Sequence, residues 1–144
     1  MKWLSKMFGA MSAQVTPPTP SETPIVPTSW TVGGFINGTN GSFNSNVAYS
    51  AYSAAVAVTP GQVIKRTGLQ SYDGTNINMF PHFYRGAANQ GNWISRGSNL
   101  SVGNTETVPS GAVYVRFNFA YGSTTGKTMS QTAIDAAFGA AFVG

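Results

Sequence analysis

At 144 residues the chain has room for one domain of ordinary size and short appendages, and its 42% hydrophobic content excludes wholesale disorder. Charged residues make up only 8%, against about 25% in typical globular domains, so the polar surface falls to Ser, Thr, Asn and Gly, which suits short strands joined by tight turns and a surface partly covered by neighbours. The net charge of +4 is scattered rather than gathered into a stripe, which argues against nucleic-acid binding, and the absence of cysteine removes disulfides, thiolate catalysis and zinc–thiolate sites.

Residues 1–14 open the chain with Leu4, Met7, Phe8 and Met11 at the i, i+3, i+4, i+7 spacing of one helical face, and Trp3 adjoins that stripe. A helix this short is marginal alone in water, so it is expected to dock on a partner surface. Lys6 interrupts the apolar run and leaves no secretory h-region, and no run in the chain approaches the roughly 18 residues of a membrane span. Residues 15–29 hold Pro17, Pro18, Pro20, Pro24 and Pro27 out of eight prolines in all, and are expected to form an extended, semi-rigid linker.

From Trp30 the pattern changes to short β-rich runs separated by Gly/Asn/Ser turns about ten residues apart, as in a sandwich or barrel. Strands are expected at Trp30–Ile36, Val47–Val58 (one or two), Val63–Leu69, Met79–Tyr84, Asn92–Ser95, Leu100–Val102, Thr105–Val108 and Ala112–Tyr121. The last is the clearest: Val113, Val115, Phe117 and Phe119 share one face, and Tyr114, Arg116 and Asn118 the other, with Arg116 expected in solvent or pairing at an edge. Residues 123–144 read as an alanine-rich C-terminal tail, either a short helix with Thr132 as N-cap or an extended segment packed on a neighbour.

The runs Gly33-Gly34-Phe35-Ile36-Asn37-Gly38, Tyr49-Ser50-Ala51-Tyr52, Val58-Thr59-Pro60-Gly61-Gln62, Phe83-Tyr84-Arg85-Gly86, Asn92-Trp93-Ile94-Ser95 and Val108-Pro109-Ser110-Gly111-Ala112-Val113-Tyr114-Val115-Arg116-Phe117 occur in that order. Together they resemble the jelly-roll domains, similar to carbohydrate-binding modules, of tailed-bacteriophage tail, baseplate and virion accessory proteins. The resemblance spans about residues 30–121. It implies an all-β protein, an antiparallel jelly-roll β-sandwich over 30–122 carried by a short N-terminal helix on a Pro-rich extended arm, and a place in a virion assembled in the host cytoplasm.

Candidate chemistry is sparse. The four acids Glu22, Asp73, Glu106 and Asp135 fall in separate segments, which disfavours the paired carboxylates of glycoside hydrolysis. His82 is the single histidine and reads as structural, and no metal site or cofactor is expected. Asp73-Gly74-Thr75-Asn76 reads as a turn rather than a calcium loop, since it offers one carboxylate. Trp93, Tyr84 and Tyr72, with the amides of Asn89 and Asn92, are either a stacking platform for a sugar or core residues closing the end of the sandwich.

These features point to a non-enzymatic bacteriophage structural protein. The first reading is a capsid decoration (cement or head-spike) protein whose docking residues Trp3, Leu4, Met7, Phe8 and Met11 meet the major capsid protein or another virion protein, alongside copies of itself. The alternative is a glycan-binding adhesion module of a phage tail, fibre or baseplate that meets a host surface glycan. A third, a secreted bacterial adhesin, requires cleavage near Ala13.

Overall fold

A computed structural model describes residues 21–144; the docking helix and residues 15–20 of the linker lie outside the described residues. The described chain is all-β, with antiparallel strands and one short helix. The smaller sheet runs β1–β13–β7–β11, built from β1 (Glu22–Pro24), β7 (Val63–Gly68), β11 (Thr105–Thr107) and β13 (Phe138–Val143). The larger runs β10–β9–β12–β5–β2, from β2 (Trp30–Val32), β5 (Ser50–Ser53), β9 (Thr75–Tyr84), β10 (Trp93–Arg96) and β12 (Tyr114–Tyr121). Two short strands extend it: β6 (Val56–Ala57) pairs with β12, and β8 (Ser71–Tyr72) with β9. A separate hairpin joins β3 (Phe35–Ile36) to β4 (Phe43–Asn44).

Period-two alternation decides which side chains meet between the sheets. On β12, Val115, Phe117 and Phe119 point inward and are fully buried, as expected; Val113, expected with them, is 41% exposed because regular pairing begins at Tyr114. Ile77, Met79 and Phe83 of β9 join them, and Ile64 and Ala140 close the cluster from the smaller sheet. Phe138 packs edge-on against Phe117 and Phe119, with centroids 5.5 Å away in each case, and against Trp30 at 4.8 Å, so aromatic rings tie the two sheets together.

The linker and the tail both differ from expectation. Glu22–Pro24, placed in the linker, is instead the edge strand of the smaller sheet, and Ile25 behind it is buried. Proline is tolerated there because an edge strand leaves one side unpaired. The short helix expected as one alternative in residues 123–144 is present as α1 (Gln131–Ala137), but the segment is not a separate tail: α1 runs into β13, which lies inside the smaller sheet between β1 and β7. Ser130, not Thr132, caps α1, its hydroxyl accepting from the Ala133 N–H at 3.1 Å. Small side chains suit this segment because Ala133, Ala137, Ala140 and Ala141 are buried at close packing distances. Across Ala141 the Lys65 ammonium reaches Glu22 at 2.7 Å, joining β7 to β1 over the strand between them. Leu100–Val102 forms no strand; Leu100 is buried from a loop.

Arg66, on β7, is fully buried. Its Nη1 donates to the carbonyls of Ile77 (2.8 Å) and Leu100 (2.7 Å), and its Nη2 to Leu69 (3.0 Å). The guanidinium thus crosses from the smaller sheet to β9 of the larger one and pins the loop that carries Leu100. Burial pulls its pKa down, yet a guanidinium stays charged in a protein. Replacement by an apolar side chain would leave three carbonyls without their donors, each costing about 1–3 kcal/mol. Arg66→Met is therefore expected to lower the unfolding free energy by about 3 kcal/mol or more, read from urea denaturation midpoints at constant slope. Deleting residues 138–144 is expected to abolish cooperative thermal unfolding altogether, whereas removal of a mere tail would leave the melting curve in place.

Candidate functional site

Part of the outward face of the larger sheet is also buried: His82, Tyr84 and Asn118 are, whereas Arg96 and Tyr114 are exposed. In register across three strands, Arg96 of β10 lies beside His82 of β9, and His82 beside Arg116 of β12. One pair along, Trp93 lies beside Tyr84 and Tyr84 beside Tyr114. Over this face fold the β3–β4 hairpin and the loop 85–92, which ends in a 3₁₀ turn at Gln90–Asn92.

Asn118 makes the first attachment. Its Oδ1 accepts from the Ile36 N–H at 3.0 Å and its Nδ2 donates to the Ile36 carbonyl at 2.8 Å, so a side-chain amide takes the place of a strand neighbour and Ile36 is buried. The hairpin's glycines make the remaining attachments. Gly41, at φ +74°, lies against the Trp93 indole, and Gly38 against the Arg96 side chain, leaving no room for a Cβ at either position. Arg96 stacks over Phe80 at 4.4 Å. Arg116 is half-buried rather than free in solvent: Nε donates to the Ala88 carbonyl (3.1 Å), Nη1 to Ser53 (3.0 Å), and its cation lies 5.4 Å and 5.8 Å from the centroids of Phe43 and Tyr52.

His82 is fully buried beneath this layer. The Trp93 Nε1–H points at its Nδ1 and the Asn118 Nδ2 lies against its Nε2, both at 3.1 Å. A neutral imidazole accepts at one nitrogen and carries a proton on the other, so it satisfies one of these donors. An imidazolium would face both donors with protons of its own. Burial first, and the nearby Arg96 charge second, push its pKa down to about 3.

Of the five sugar-platform residues, Trp93 lies beside Tyr84 and the Asn92 N–H donates to the Asn89 carbonyl at 3.1 Å, while Tyr72 lies apart. Tyr84 is fully buried, its hydroxyl has no partner among the described residues, and burial pushes its pKa up to about 12 against the opposing pull of Arg116. Tyr72 pairs with Thr75 at the start of β9 and Tyr84 stands at its end, so roughly 30 Å of strand separates them at about 3.3 Å per residue. Trp93 is half-buried with its N–H spent on His82, and Asn92 spends its amide on the Ala87 carbonyl (2.9 Å). Asn89 is exposed at the loop tip.

The acids are equally dispersed. Glu22 pairs with Lys65, Asp135 accepts from Gln131 (2.8 Å), Glu106 accepts from the Ser98 N–H (3.1 Å), and Asp73 occupies a turn at φ +50° followed by Gly74 at φ +74°. That pair of left-handed residues is the two-residue hairpin turn read from the sequence. Among the described residues there is no cluster of three His, Cys, Asp or Glu side chains able to hold a metal, and no helix long and apolar enough to cross a membrane.

Two surface grooves remain. The larger, about 680 Å³, lies between the stretch Pro24–Trp30 and the α1–β13 junction, where Val26, Ile134 and Phe138 line it beside Asp135. The second, about 560 Å³, lies where β2, β5 and the β4 end of the hairpin meet, and Phe43, Asn44, Asn46 and Tyr52 line it. Neither was legible from spacing: the larger joins residues 24–30 to Thr67 and residues 131–140, far apart in sequence, and the second forms only where the hairpin end at Phe43 and Asn44 reaches Tyr52. The one available signal was the period-two position of Tyr52, which sets it on the outward face beside Asn118.

Comparison with known protein families, curated proteins and solved structures returned no match to this chain.

The buried imidazole fixes a pH dependence. In the unfolded chain it takes up a proton near pH 6.5, and in the folded protein only near 3. Between these values the unfolded state binds more protons, so stability is complete above about pH 6.5 and falls as the pH falls, by about 1.4 kcal/mol per unit. Urea denaturation is expected to show a loss of about 2 kcal/mol from this group between pH 7 and pH 5, and His82→Gln is expected to flatten that part of the profile.

Proposed function

We propose that this protein is a non-enzymatic structural component of a bacteriophage particle, a capsid decoration protein of cement or head-spike type. Its head is a jelly-roll, and residues 1–14 hold it to the major capsid protein or another virion protein. Two antiparallel sheets support the jelly-roll reading, because strands distant in sequence are neighbours in them: β13 lies between β1 and β7, and β12 between β9 and β5. The order of motifs over residues 30–121 supports the setting.

One observation carries the docking role. The Gly144 N–H donates to the Ser21 carbonyl at 3.0 Å and the Ser21 hydroxyl to the Gly144 carbonyl at 3.0 Å, so the first and last described residues are clamped side by side. Both stand on the rim strand β1 and its neighbour β13. Among the described residues a core spans Ile25 to Ala140. In sequence, Leu4, Met7, Phe8 and Met11 share one helical spacing with Trp3 beside them, and an apolar helical face gains order by burial against a second surface. Copies on a symmetric shell follow its symmetry, since a shell presents repeated docking points.

Deletion of residues 2–14 tests this reading. Copies per purified particle are expected to fall at least tenfold by quantitative mass spectrometry, while the melting temperature of the truncated protein stays within a few degrees of the full chain. Unchanged incorporation would exclude the arm as the anchor.

A further inference from the structure

Tyr84, beside Trp93, is buried, but an aromatic floor beside exposed polar side chains occurs elsewhere, in the groove between β2, β5 and the end of β4. Phe43 and Tyr52 form its floor, with ring centroids 5.2 Å apart at 57°. Arg116 fixes both rings from the sheet side: its cation rests on them while its Nε and Nη1 are bound to backbone carbonyls. The floor is thus held in one geometry before any ligand arrives.

Its rim is polar. Thr31, Asn44, Ser45 and Asn46 are exposed, and the structure gives Asn44 one long bond, 3.4 Å from its Nδ2 to the Ser42 carbonyl. Among the described residues the side chains of Ser45 and Asn46 have no hydrogen-bond partner. Other turn amides are spent locally: Asn37 accepts from Thr39 N–H at 2.7 Å, Asn40 from Ser42 N–H at 3.0 Å, and Asn92 donates to Ala87. Asn46 moreover sits at φ +62°, a left-handed conformation that side chains adopt at a cost and that recurs where a residue is held for binding. Gly33 adds no side chain to the wall, and a Cβ built there meets nothing within 4 Å.

We propose that this groove binds an uncharged pyranose sugar, with the C–H face of the ring on Phe43 and Tyr52 and its hydroxyls on the amides of Asn44 and Asn46 and the hydroxyls of Thr31 and Ser45. No charged side chain lines it, which selects a neutral ring over an acidic one. Aromatic rings provide the apolar area, and amides offer a donor and an acceptor side by side, which matches a vicinal diol. Its volume of about 560 Å³ falls within the range of about 300–1,000 Å³ typical of small-ligand clefts. This site is independent of the arm, and its loss would leave incorporation into particles unchanged.

Two variants leave the fold alone. Asn46→Gly keeps the left-handed backbone and removes the amide; Ala48→Trp fills the groove from an exposed position on its wall. The full-length protein is screened on an array of neutral and acidic oligosaccharides, and positive sugars are titrated by calorimetry against the wild type and both variants. The expected result is saturable binding to at least one neutral pyranose oligosaccharide, at least tenfold weaker for Asn46→Gly and abolished by Ala48→Trp, with unchanged melting temperatures. Absence of binding to every neutral sugar, binding restricted to acidic sugars, or equal binding by all three proteins would overturn the proposal.

Discussion

The Arg66 guanidinium stands where the two sheets meet the loop that carries Leu100, and its three donated hydrogen bonds end on backbone carbonyls rather than on a carboxylate. A charge with no partner acid must recover its hydration from dipoles. Removing it from water costs several kcal/mol, and charged hydrogen bonds return about 1.5–3 kcal/mol each, so the two sides nearly balance. The consequence is specificity of geometry more than net stability. The carbonyls of Ile77, Leu69 and Leu100 have to converge on one point, and that fixes how β7 lies over β9 and where the next loop begins. With these spacings set, the inward faces of β9 and β12 meet Ile64 and Ala140 at packing distance.

The same device appears a second time on the outer face, with an amide in place of a cation. Asn118 bonds both polar groups of Ile36, and glycines let the hairpin lie flat on Trp93 and Arg96. A strand that would expose one face to solvent is thus buried on both. His82 is trapped in the resulting layer between two donors, which makes it a fixed neutral spacer rather than a titrating group near neutral pH. The hairpin's second effect is topographic: by covering the sheet as far as Phe43, it leaves a step at Tyr52, and that step is the smaller groove.

The proposed decoration role rests on few charges and on Ser21 and Gly144 joined at one rim. A surface rich in Asn, Ser, Thr and Gly makes contacts by hydrogen bonds that do not depend on salt, which suits both close packing beside identical neighbours and contact with a neutral sugar. The proposed docking segment, residues 1–14, and the proposed sugar groove, lined between Thr31 and Tyr52, use different residues and different chemistry.

The all-β class, the turn at Asp73-Gly74, the inward faces of Val115, Phe117 and Phe119, and the structural part of His82 were legible in the sequence, because each depends on neighbours within a few residues. Alternation also held a clue for Arg66, two residues from buried Ile64 on the same face, although charge alone suggested solvent. What the tertiary structure decided was membership: Glu22–Pro24 is a strand only because it pairs with Ala141–Val143 across more than a hundred residues of chain, and Phe138–Val143 because it also pairs with β7 along its whole length. Composition marked one as linker and the other as tail, since proline and alanine disfavour strands in isolation. The separation of Tyr72 from Tyr84 and Trp93 and the meeting of Phe43 with Tyr52 follow from the same limit. Sequence spacing sets which face a residue takes, but which distant face it meets is set by strand order, and that is a property of the whole fold.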